Sequence, residues 1–61
     1  MVTIKFSTAN DAFSDAPGQE VARILHKLAD TVAPLELWEG EEVKLRDING
    51  NTVGTFKYTN N

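Results

Sequence analysis

His26 is the single histidine of the 61 residues and there is no cysteine, so nucleophilic or general-base chemistry would have to bring His26 to Ser7, Ser14 or a carboxylate. Its neighbours along a helix are polar, and it reads as a solvated surface residue on the flank of an apolar stripe. One histidine without cysteine also argues against a protein-built zinc site. The run Asp47-Ile48-Asn49-Gly50-Asn51 opens like a calcium loop, which needs glycine in sixth place and a bidentate glutamate in twelfth. Thr52 and Tyr58 occupy those places, so the run reads as a hairpin turn in which Asp47 accepts from local backbone amides. Gly18, Gly40, Gly50 and Gly54 are scattered, with no lysine-serine pair after any of them, which excludes a phosphate loop. The expectation is a protein that is not an enzyme, with no catalytic residue, cofactor or metal.

Two constellations suit recognition instead. Leu37 and Trp38 lie among Glu36, Glu39, Glu41 and Glu42, an acidic loop with an apolar centre. Tryptophan is enriched at binding hot spots because a partner can bury its large ring, and carboxylates around it steer basic surfaces. Leu37, Trp38, Glu39 and Glu41 are therefore the candidate protein contacts, the other reading being that Trp38 folds back to cap a small core. Arg23, Lys27, Lys44 and Arg46 are the alternative, a basic set able to touch the phosphates of a nucleic acid. Glu20 and Asp30 balance its helical members at spacings of three and four, and no aromatic stacking platform accompanies it.

Length and charge bound these readings. A chain this short supports one domain, residues 1–61, burying only about 60% of the surface its unfolded form exposes, so self-association into a homodimer is a natural expectation. Nine acidic against six basic side chains leave a net charge of −3, which disfavours bulk attraction to a polyanion. Val2-Thr3-Ile4-Lys5-Phe6 alternates, unlike a secretion signal, and no apolar run is long enough to span a bilayer. A cytoplasmic location is expected.

The elements that must carry these residues follow from periodicity. Val2, Ile4 and Phe6 alternate with polar residues, predicting a strand over 2–7. Phe13 is the one large apolar residue of the turn-rich stretch that follows, and is expected to plug an end of the core. Val21, Ile24, Leu25, Leu28 and Val32, with Ala29 beside them, fall at helical spacing, while Gln19, Glu20, Arg23, His26, Lys27 and Asp30 take the other side. Ser14 or Asp15 is the expected cap, Pro17 fits the first turn and Pro34 stops the run, which places the helix at about 17–32. Residues 35–40 read as an ordered loop.

Residues 42–46 and 52–58 read as strands joined through Asn49-Gly50, a strong hairpin signal. A two-residue turn there pairs Val43 with Phe56 and Leu45 with Gly54. A three-residue loop, Ile48-Asn49-Gly50, shifts the pairing to Leu45 with Val53. The first is preferred because it buries Phe56 and sets Glu42 opposite Lys57. Gly54 is expected to mark a bulge or a close approach under an aromatic ring. The expected fold is α+β, in the order β-α-β-β: one amphipathic helix packed on a three-stranded sheet with a C-terminal hairpin, the last strand lying between the first two and one sheet face left open.

The stretches Thr3-Ile4-Lys5-Phe6-Ser7-Thr8, Asn10-Asp11-Ala12-Phe13, Glu20-Val21-Ala22-Arg23-Ile24-Leu25, Leu28-Ala29-Asp30 and Leu45 to Gly54 resemble a group of small uncharacterised proteins of bacteriophages and prophages. That resemblance implies a product made inside a bacterial cell and transfers no activity to any residue. The expectation from the residues and the resemblance together is a non-enzymatic phage accessory protein that binds a protein, either itself or a host factor.

Overall fold

The computed structural model describes residues 1–60. Strand β1 (Val2–Phe6) leads through a single 3₁₀ turn (Asp11–Phe13) into helix α1 (Pro17–Val32), followed by β2 (Glu42–Arg46) and β3 (Thr52–Tyr58). The sheet order is β1-β3-β2 with both pairs antiparallel, so the parallel strands β1 and β2 flank the last one, the expected α+β arrangement. Phe13, Ile24, Leu28, Leu45 and Phe56 form the buried core, with Phe6, Val21, Val32, Val43, Val53 and Tyr58 packed around it. Phe13 does plug the core, its ring 6.4 Å from that of Phe6 and tilted by 31°.

Helix α1 begins and ends where Pro17 and Pro34 place it, but its cap differs from expectation. Ala16 is the N-cap and makes no side-chain bond. Ser14 instead ends the 3₁₀ turn, its backbone N–H and hydroxyl both donating to the Asp11 carbonyl, and Asn10 caps that turn by accepting from the Ala12 N–H at 3.0 Å. The polar residues before Pro17 are thus used one element earlier than their spacing suggested.

The helix lies toward the β2 side of the sheet. Leu45 of β2 is buried, whereas Ile4 of β1 keeps 44% of its surface open and Leu25, expected in the buried stripe, keeps 42%; Ala29 is exposed as well. Glu20 reverses its assignment to the polar side, being only 7% exposed.

The hairpin combines features of both turns considered. Its outer register is the preferred one, with Glu42 opposite Lys57, Val43 opposite Phe56 and Leu45 opposite Gly54. Its tip is the three-residue loop: the Gly50 N–H donates to the Asp47 carbonyl at 3.0 Å, the Asp47 N–H donates to the Asn51 carbonyl at 2.9 Å, and Gly50 has φ +85°. The two are reconciled by a bulge. Arg46 pairs with Thr52 but Leu45 pairs with Gly54, so Val53 is the extra residue that moves the register by one. Val53 also turns its carbonyl to the Ser7 N–H at 3.0 Å, extending the contact with β1 just beyond Phe6.

Candidate functional site

Chain reversal before β2 determines how Trp38 is presented. The Glu41 N–H donates to the Trp38 carbonyl at 2.9 Å, closing a four-residue turn whose third residue, Gly40, has φ +84°, a value that suits glycine. The turn is tied to the sheet at Gly40 and Glu41: the Gly40 N–H donates to the Tyr58 carbonyl, and the Tyr58 N–H donates to the Glu41 carbonyl, each at 2.9 Å. The Glu39 carboxylate accepts from the Asn60 backbone N–H. Trp38 projects from this anchored turn with 68% of its surface exposed, so it does not cap the core; Leu37 beside it is exposed at the same end. Of the four candidate contacts, Trp38 and Leu37 offer apolar surface, while Glu39 and Glu41 hold the turn through the bonds just described.

The alternative set borders one groove from two faces of the sheet. A groove of about 400 Å³ runs between α1 and β2, lined by Arg23 and Lys27 on the helix and Lys44 and Arg46 on the strand, above a floor that includes Ile24, Leu28, Val43 and Leu45; but Lys44 turns its side chain to the sheet face away from α1, and Arg46 Nη1 donates to the Thr52 hydroxyl at 2.8 Å. Sequence spacing brought Arg23 and Lys27 together, one helical turn apart; only the parallel placement of β1 and β2 around β3 brings Lys44 and Arg46 to them.

Two buried carboxylates stand at the hairpin, Asp47 lining this groove and Glu20 lying beside it under Arg23. Glu20 accepts from Arg23 through Nε at 2.7 Å and Nη2 at 3.0 Å, and its Oε2 also accepts from the Ile48 backbone N–H at 2.8 Å. Arg23 Nη2 donates in turn to the Arg46 carbonyl at 3.1 Å. The Arg23 guanidinium holds the Glu20 carboxyl below its ordinary pKa against the opposing effect of burial, with the Ile48 N–H helping, and Glu20 raises the pKa of Arg23. Asp47, 4% exposed, accepts from the Asn49 and Asn51 backbone N–H groups at 2.9 Å through Oδ1, and from the Asn10 and Asn51 side-chain amides at 2.7 and 3.2 Å through Oδ2. Burial alone would push this carboxyl up, but the four donors together bring it down. The local-amide role expected of Asp47 is therefore the observed one, extended by Asn10 across the fold. The pairing of Glu20 with Arg23 at a spacing of three is the expected one; the burial of Glu20 is not readable from spacing, because it depends on where the hairpin lands.

His26 is exposed on the helix. On the face turned away from α1, Lys5, Thr55 and Lys44 form one cross-strand row and Thr3, Lys57 and Glu42 the next, with the Lys44 ammonium 3.8 Å from the Glu42 carboxylate. The open sheet face is thus polar and locally cationic on a chain of net charge −3. Among the described residues no helix is long and apolar enough to cross a membrane, and no three histidine, aspartate or glutamate side chains gather as a metal cluster. Comparison with family models, with curated proteins and with solved structures gives no match.

Proposed function

We propose that the protein is a non-enzymatic binding module whose contact with a protein partner centres on Trp38, in the cytoplasm of a bacterial cell during phage infection or lysogeny. The partner is a second copy of the chain or a host protein. The observation that supports this is the exposed indole on a turn whose backbone is tied to β3 at Tyr58. Presenting a large aromatic ring on a fixed turn reduces the ordering cost of binding, which is how a few anchor residues come to dominate an interface. Glu36 and Glu39 beside it favour a partner with basic groups around an apolar pocket.

The test compares the protein with its Trp38→Ala variant in size-exclusion chromatography with light scattering and in affinity capture from bacterial lysate. The expected result is a dimer, or a specific captured protein, present with the parent chain and lost with Trp38→Ala while circular dichroism stays the same. A monomer that captures nothing, or capture indifferent to the substitution, would contradict it.

The meeting of Arg23, Lys27, Lys44 and Arg46 at one groove favours a second reading, a small nucleic-acid-binding module. Against it, Arg23 is already engaged by Glu20, and among the described residues no aromatic ring lines the groove for a base to stack on. Binding of a single-stranded oligonucleotide that weakens steeply with salt would mark this alternative.

A further inference from the structure

The edge of β2 adds a second observation to the cationic groove. Among the described residues β2 is an outer strand, paired only with β3. The Tyr58 N–H donates to the Glu41 carbonyl, so by antiparallel alternation Val43 and Leu45 bond inward to β3 while the backbone N–H and C=O groups of Glu42 and Lys44 face the open edge. Farther along the edge, the helix already supplies what a neighbouring strand would supply: Arg23 donates to the Arg46 carbonyl and Glu20 accepts from the Ile48 N–H. At Glu42 and Lys44 no such substitute stands, and there the groove is bordered by Lys27 and Thr31 of the helix.

We infer that this groove takes an extended acidic segment of a partner protein, which adds to β2 as a fourth strand with alternating apolar and acidic side chains. Strand pleating dictates the alternation. Side chains on the helix side would meet the half-buried Val43, above the buried Ile24 and Leu28, and those on the other side would meet Lys44. On that sheet face Lys5, Lys44 and Lys57 outnumber Glu42, which selects acidic residues for the second set, and the backbone edge distinguishes a peptide from a simple polyanion. The inference rests on the reading of the protein as a protein-binding module and gives that reading a partner chemistry, at a surface separate from Trp38.

Fluorescence anisotropy with a labelled synthetic peptide of alternating valine and glutamate tests it. Three comparisons are made on the same protein: lysine in place of glutamate in the peptide, N-methylation of its alternate amides, and a single-stranded oligodeoxynucleotide as probe. Saturable binding of the parent peptide is expected, with at least a tenfold loss on each peptide change and about a tenfold loss with Lys44→Glu, whose side chain is exposed and leaves the ladder intact. No saturable binding, equal binding of the N-methylated peptide, or tighter binding of the oligonucleotide would each overturn the assignment. Self-association abolished by Lys44→Glu would make a second copy the occupant and overturn it too. Trp38→Ala separates the two claims: it should leave the peptide affinity unchanged, so loss of protein capture alone bears on the Trp38 contact and loss of peptide binding in the parent chain alone bears on the groove.

Discussion

A methyl group added at Gly54 would fall well inside contact distance of the Lys5 carbonyl oxygen and of Cα and Cβ of Phe6. All are backbone atoms or directly attached to it, so the strand itself would have to move. Gly54 is opposite both Phe6 and Leu45 in the sheet and follows the bulge at Val53, and the backbone of β1 passes directly against it. Overfilling a packed site costs about 1–3 kcal/mol and more when backbone must shift. Gly54→Ala is therefore expected to lower the unfolding free energy by about 3 kcal/mol, enough to leave a domain of this size largely unfolded, as urea titration of circular dichroism would show. A loss below about 1 kcal/mol would mean that β1 does not approach as closely as described.

At the scale of elements, α1 and the three strands were legible because each rests on local signals: alternation in Val2 to Phe6, the stripe Val21, Ile24, Leu28 and Val32, and the prolines at either end of the helix. What was not legible depends on contacts between elements. Leu25 belongs to the apolar stripe by spacing, yet stays exposed because the helix lies toward β2, and Glu20 is buried because Ile48 and Arg23 reach it there. Trp38 was undecided for the same reason, since burial of a loop residue is a tertiary fact. The hairpin shows the limit most sharply: pairing was readable from burial of Phe56, but a bulge allows that pairing with either turn. The observed tip predicts that Gly50→Ala, which forces φ near +85° on a residue with a Cβ, destabilises by about 1 kcal/mol. Thermal melts of the variant would check this, and an unchanged midpoint would point to a different tip.

For the whole molecule, the same two carboxylates couple stability to pH. Glu20 and Asp47 have lower pKa values folded than unfolded, so near the ordinary carboxylate range the unfolded chain binds more protons and stability rises with pH. Their contribution is complete above the unfolded values, roughly pH 4, and is lost as acidification passes the folded ones. Melting temperature should fall as pH is lowered from about 5, and Glu20→Gln should start lower and fall less steeply. Parallel pH profiles for the two proteins would contradict the Glu20 clamp. The molecule as a whole then joins a small core, clamped at the hairpin end by these carboxylates, to an exposed indole at the turn before β2, the proposed contact. Fluorescence of Trp38, the chain's single tryptophan, tests that contact most directly when followed with a neutral quencher across a protein dilution series. In the dilute folded protein the indole should be quenched nearly as fully as in the urea-unfolded chain, with protection developing only as a partner or a second copy occupies it. An indole shielded equally at every concentration would place Trp38 in the core and contradict the account.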